Sequence, residues 1–137
     1  MIVRKANAND IDSVADIYDE IHTEIEKGVF STGWIRGIYP LKSTAQNAFE
    51  KDWLFVAEEE GKIVAAAIIN QYQGPIYEEA AWEFEATENE VMVLHTLVVS
   101  PSCSKNVSVQ KWLHFTSSML CRTTAENCAW IPMQKTQ

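Results

Sequence analysis

The stretch from Val91 to Pro101 reads Val-Met-Val-Leu-His-Thr-Leu-Val-Val-Ser-Pro and constrains the fold more than any other part of the chain. Eight of its first nine residues are β-branched or large and apolar, the exception being His95. Such a run, with only weak alternation, reads as a strand buried on both faces of a mixed α/β sheet. Ser100-Pro101 ends it, because proline cannot continue a central ladder. The functional site is expected where this strand ends.

The rest of the chain supplies partners for that strand. Met1 to Lys5 alternates and reads as a first strand. Ile11, Val14, Ile17, Ile21 and Ile25 recur at helical spacing, with Asn9 or Asp10 as cap and Gly28 as the stop. The acids between them read as a solvated face. Residues 29–40 form a loop rich in glycine and aromatics, with Trp34 and Tyr39. A short helix, capped by Ser43 or Thr44, runs to about Lys51. Trp53–Glu58 and Ile63–Tyr72 read as two strands joined by a turn at Gly61, a hairpin pattern. Gly74-Pro75 breaks the chain, and an acidic segment leads into the organising strand. The order β, α, α, β, β, β describes one α/β domain, which 137 residues can form with a real core.

With the order established, the residues Leu97-Val98-Val99-Ser100-Pro101 carry a resemblance. They follow an acidic segment and precede a loop that leads into a helix, and they resemble the fourth strand of the GNAT N-acetyltransferase family. The likeness covers residues 1–102, roughly. It implies a GNAT-like mixed, mostly antiparallel sheet flanked by helices, with a βαβ crossover to follow. It implies acetyl-CoA as co-substrate and no metal. The backbone of Leu97, Val98 and Val99 would hold the pantetheine arm. The loop Lys105, Asn106, Val107, Ser108 and Val109 would lie at the pyrophosphate, where free N–H groups and a helix N-terminus favour an anion. Trp34 and Tyr39 would form a wall of the acceptor pocket; the plain alternative is that they cover the core.

The last segment, 103–137, departs from the family. The resemblance calls for a Gln/Arg-x-x-Gly-x-Gly/Ala loop after the strand, and residues 102–109 contain no glycine. Charge changes as well: residues 1–102 hold 7 Lys/Arg against 18 Asp/Glu, whereas 103–137 hold 4 against 1. Cys103, Cys121 and Cys128 all lie in this tail, whose one expected element is a helix over 108–120. Back-translation offers a reason. If each codon's third base is read with the first two of the next, Trp130-Ile131 forces Asp and Met133-Gln134 forces Ala. The run Asn127 to Lys135 then permits Leu-Arg-Met-Asp-Thr-Asn-Ala-Lys, similar to the fifth strand of GNAT proteins and its turn. The expectation is a frame shift between about Ser102 and Ser108, leaving a truncated acetyltransferase with an out-of-frame tail; a divergent tail is the alternative.

His95 is the only titratable side chain in the apolar run, and an ordinary imidazole pKa suits a base near neutrality. The resemblance supports that role, since GNAT proteins often carry the base on the fourth strand. The structural alternative is a hydrogen-bonded core histidine. Glu83 is the second candidate base, beside Glu85 and Glu90, which also read as surface acids. His22 and His114 have no motif around them, and no Cys-His signature or CxxC spacing points to a cysteine nucleophile, zinc or disulfides.

A net charge of −8 argues against nucleic acid and anionic membrane as partners. No apolar run is long enough for a membrane span, and the N-terminus lacks a signal-peptide core, so a cytoplasmic location is expected. Two functions remain. One is a GNAT-type acyltransferase acting from acetyl-CoA on an amine of a small molecule or peptide, with acidic surroundings favouring a cationic amine. The other is a non-catalytic α/β binding module derived from a truncated acetyltransferase. If the tail supplies no fifth strand, Val91–Val99 becomes an apolar edge, and homodimer formation through it is expected.

Overall fold

The computed structural model describes residues 1–29, 32–71, 91–103, 110–112, 114–115 and 129–131. Its elements are β1 (Ile2–Lys5), a 3₁₀ turn (Ala8–Asp10), α1 (Ile11–Glu26), α2 (Lys42–Glu50), β2 (Leu54–Glu59), β3 (Lys62–Asn70), β4 (Val91–Val99) and β5 (Ala129–Ile131). The strands form one sheet in the order β1-β2-β3-β4-β5. The first four are antiparallel neighbours, and β5 runs parallel to β4.

Alternation along the strands divides the core between two faces. Leu54 and Val56 of β2, Ala66 and Ile68 of β3 and Val98 of β4 meet Val14, Ile17, Tyr18 and Ile21 of α1, with Ala45 and Ala48 of α2 beside them. Each large apolar side chain so buried contributes roughly 1.5–3 kcal/mol. The opposite face gathers Phe55 and Ala57 of β2, Ala65, Ala67 and Ile69 of β3 and Met92 and Leu94 of β4. The alanines of β3 contribute little volume. Much of the bulk on that face comes from Trp112, which is wholly buried, and from Phe115, which packs on Phe55 at 5.5 Å between ring centroids.

Helix ends follow local chemistry, with two differences from the sequence reading. Asp10 stands directly before α1, as expected, but its side chain closes the preceding 3₁₀ turn instead: Asn7 Oδ1 accepts from Asn9 N at 3.0 Å, while Asp10 Oδ2 accepts from Asn7 N at 2.8 Å. The carboxylate thus reaches back across the turn, as a capping box does. At α2 the residue before the helix is Leu41, and Thr44 takes the reciprocal position, its Oγ1 accepting from Leu41 N at 2.9 Å. Gly28 has φ +80° and donates to Ile25 O, closing α1 with a left-handed residue as expected.

The tail also differs from expectation. It does supply a strand, since Ala129, Trp130 and Ile131 pair with Val91, Met92 and Val93. Three residues are too few to carry a readable period, yet a buried neighbour is enough to pair them. Residues 110–112 and 114–115 are helical, inside the expected helix over 108–120. The loop Lys105, Asn106, Val107, Ser108 and Val109 lies outside the described residues, as do Glu83, Glu85, Glu90, Cys121 and Cys128. No helix among the described residues is long and apolar enough to cross a membrane.

Candidate active site

The site is built on an irregularity in β4. Ile68 of β3 stands opposite His95, but Ala66 stands opposite Val98, so β4 carries two residues, Thr96 and Leu97, where β3 has one. Thr96 has φ +46°, an uncommon backbone state for a β-branched residue. The bulge reverses the alternation of the strand. Before it, Met92 and Leu94 face the Trp112 side; after it, Leu97 and Val99 do, and Val98 turns towards α1. His95 and Thr96 are therefore neighbours at the point where the chain changes phase. A strained residue of this kind costs on the order of 1–3 kcal/mol and is commonly kept where function needs it.

Side chains from two other segments converge there. Asn70, at the end of β3, is 7% exposed, and its Oδ1 lies 2.9 Å from His95 Nε2. Tyr39 brings its hydroxyl to Thr96 Oγ1 in a short hydrogen bond. Tyr39 also meets Trp34 edge-on, with ring centroids 6.0 Å apart. Trp34 packs on the α1 core, while Tyr39 stays 38% exposed. Arg36 ties this loop to α1, its Nε donating to Glu26 Oε1 at 2.8 Å, with a second ion pair to Asp19.

The α1 wall behind the loop is polar where it is deepest. His22, 4% exposed, donates from Nε2 to Pro40 O at 3.0 Å. Its Nδ1 and the buried Tyr18 hydroxyl find no hydrogen-bond partner among the described residues. Burial, with Tyr39 nearby, pushes the Tyr18 hydroxyl above the ordinary tyrosine range, so it stays a neutral donor. His22 had no motif to mark it in the sequence.

On its far side, β4 is covered by β5 only from Val91 to Val93. From Leu94 to Val99 it pairs with β3 alone among the described residues. That stretch contains the bulge and the backbone of Leu97, Val98 and Val99. It ends at Ser100, whose hydroxyl donates to Glu20 Oε2 at 2.8 Å. A separate cleft of about 490 Å³ lies between α1 and the β2–β3 hairpin, lined by Arg4, Asp10, Asp16, Glu20, Glu58 and Lys62 among others. Arg4 is held there between Asp10 (2.7 Å) and Glu58 (2.8 Å). Among the described residues no cluster of His, Cys, Asp and Glu is arranged to hold a metal ion.

Four antiparallel strands, a short fifth parallel to a bulged fourth, and helical residues on both faces define a GNAT-like fold. No family model matches the sequence, and no curated protein matches it. Solved structures do match the fold. A Staphylococcus aureus Mu50 protein assigned as an acetyltransferase superposes with a TM-score of 0.64 at 20% identity, over 89% of this chain and 73% of that one. A GNAT-family acetyltransferase from Streptococcus agalactiae 2603 gives 0.61 at 18% identity, over 89% and 64%. A GNAT-like decarboxylase in complex with isobutyryl-CoA gives 0.60 at 17% identity, over 90% and 60%. At these identities the likeness is one of fold.

Proposed function

We propose that this chain transfers an acyl group, acetyl first among them, from a coenzyme A thioester to an amine of a small molecule or peptide. The observation that carries the reading is the bulge at Thr96, which sets His95 in the stretch of β4 that pairs with β3 alone among the described residues. An unpaired strand edge offers backbone N–H and C=O groups to an extended amide arm, as a neighbouring strand would. The backbone of Leu97, Val98 and Val99 would hold the pantetheine in this way. The residues present therefore fit the thioester arm, although the glycine-free sequence Lys105 to Val109 fits a pyrophosphate poorly. A sequence without glycine would put side chains where bare backbone has to approach.

His95 takes a proton from the ammonium of the acceptor, directly or through water. Backbone donors on the β4 edge polarise the thioester carbonyl; the neutral amine attacks its carbon, the C–S bond breaks, and the remaining amine proton passes through solvent to the departing coenzyme A thiolate. Tyr39 and Trp34 border the acceptor, and the carboxylates of α1 favour a cationic amine. Glu83 is the second base under this reading. The absent glycines favour the other function, a binding module without catalysis, and the two separate cleanly.

Isothermal titration with acetyl-CoA is the first measurement. Two or three lost charge-assisted hydrogen bonds, at roughly 1.5–3 kcal/mol each, weaken binding by a few hundred-fold or more. A dissociation constant well above the low micromolar range is expected. Thiol release from acetyl-CoA with 1,4-diaminobutane or a free tripeptide is the second. His95→Gln should lower kcat by about 10²–10⁴-fold with acetyl-CoA binding unchanged. Undiminished turnover in that variant, with loss in Glu83→Gln, would move the base to Glu83. No binding of acetyl-CoA at any accessible concentration would leave the binding module.

A further inference from the structure

We propose that Tyr18 and His22, buried on one face of α1, form a recognition site for a neutral group that both accepts and donates a hydrogen bond, a hydroxyl or a carboxamide carried by the acceptor amine. The inference rests on the acyl-transfer reading only for the fate of the bound amine; the site itself is read by binding.

The two residues stand four apart in α1 and so share one face of the helix. Both are more than nine-tenths buried. The Tyr18 hydroxyl and His22 Nδ1 are buried as atoms too, and neither finds a hydrogen-bond partner among the described residues. Buried polar atoms left unpaired are rare in a folded chain and need a reason. A partner that arrives with a ligand supplies one.

The surroundings fix what each atom can do. Pro40 O can only accept, so His22 Nε2 carries the hydrogen and the neutral ring keeps a bare lone pair at Nδ1. Burial, with Tyr39 nearby, keeps the Tyr18 hydroxyl protonated and able to donate. The helix face therefore offers one donor and one acceptor a turn apart. A hydroxyl or a carboxamide answers both. A carboxylate would set its lone pairs against Nδ1, and an ammonium has nothing with which to accept from the Tyr18 O–H. Burial adds the cost of desolvating either charge.

The cover over these atoms is short. Pro40 lies on His22, while Tyr39 lies close to Tyr18 and reaches the Thr96 hydroxyl. Tyr39 is part-exposed, and Ile38 and Leu41 beside it are exposed, so its side chain can swing outward into solvent. Leaving Thr96, it opens the recess onto the bulge of β4. A ligand whose neutral group takes its place over α1 then has its amine directed at that stretch of β4.

The test titrates the full chain, labelled with ¹⁵N and without acetyl-CoA, with butyl amines that differ only at the far end. 4-Amino-1-butanol and 4-aminobutanamide should shift the His22 Nδ1 resonance, as a lone pair gaining a hydrogen bond does. n-Butylamine, 1,4-diaminobutane and 4-aminobutanoate should leave it in place. Tyr18→Phe should weaken 4-amino-1-butanol about tenfold relative to n-butylamine. Its urea midpoint should stay at or above that of the wild type, because the change deletes an unpaired polar atom. With acetyl-CoA present, the kcat/KM preference for 4-amino-1-butanol over n-butylamine should fall by the same factor in the variant. A His22 Nδ1 resonance that no neutral polar amine moves overturns the proposal, as does one already hydrogen-bonded in the free protein. A Tyr18→Phe chain that unfolds more easily than the wild type also overturns it, since the hydroxyl then has a structural partner. A His22 response without any acyl transfer upholds the site and removes the acyl-transfer reading instead.

Discussion

At the scale of single residues, an ion-paired cluster among the described residues lies on Arg4. Arg4 donates to both Asp10 oxygens, at 2.7 and 3.2 Å, and to Glu58 at 2.8 Å. Burial of Asp10 opposes its ionisation, but the Arg4 guanidinium and the Asn7 N–H together outweigh burial and hold the carboxyl below its usual value. The unfolded chain then binds the proton more tightly than the folded one. The stabilisation is complete above the ordinary carboxylate pKa, about 4, and is lost as pH falls through the lower folded value. Asp10→Asn removes the charge and the acceptor for Asn7 N or Arg4. It should cost about 1.5–3 kcal/mol at pH 7 in urea unfolding, and the acid limb of stability below about pH 4 should flatten relative to the wild type. A variant as acid-sensitive as the wild type would place the titrating group elsewhere.

At the scale of elements, the strands and helices were legible because each obeys one period. Ile11, Val14, Ile17 and Ile21 mark a helix face, and Val91 to Val99 marks a strand buried on both sides. The bulge was not legible. Thr96 adopts a left-handed backbone without the glycine that would have signalled it, and among the described residues the flanking pairs with β3 and the Tyr39 hydroxyl hold it there. Asn70 was hidden for a related reason, since one polar residue at the end of an apolar strand reads as the end of the strand. The fifth strand was hidden in a different way. Ala129–Ile131 pairs where the offset reading frame carries Leu-Arg-Met-Asp, so the gap beside β4 is filled at the place a GNAT-like fifth strand would occupy. The proposal that the frame shifts after Ser102 therefore predicts that the coding DNA, read in the offset frame, continues through further strand-like segments. An early stop in that frame sinks it. A chain made in the restored frame should regain glycines after β4 and bind acetyl-CoA a few hundred-fold more tightly by titration calorimetry.

At the scale of the whole molecule, the short β5 leaves one surface with two claims on it. Six residues of β4, Leu94 to Val99, pair with β3 alone among the described residues. At about 3.3 Å each they make an edge near 20 Å long, apolar and of the kind that natural proteins cover or pair. We propose that a second copy adds its own β4 there, through the backbone groups that the thioester arm would use. Both partners need the same N–H and C=O groups, so each excludes the other. Linkage makes the exclusion reciprocal: whatever acetyl-CoA gains by binding the monomer, the dimer loses. Light scattering after size exclusion should find dimer at high micromolar chain concentration. Added acetyl-CoA should convert it to monomer, with apparent acetyl-CoA affinity falling as chain concentration rises. A dimer indifferent to saturating acetyl-CoA would place the contact on another surface. A monomer at high micromolar concentration, unchanged when Leu97 is replaced by Lys, would mean that the edge is already covered within the chain.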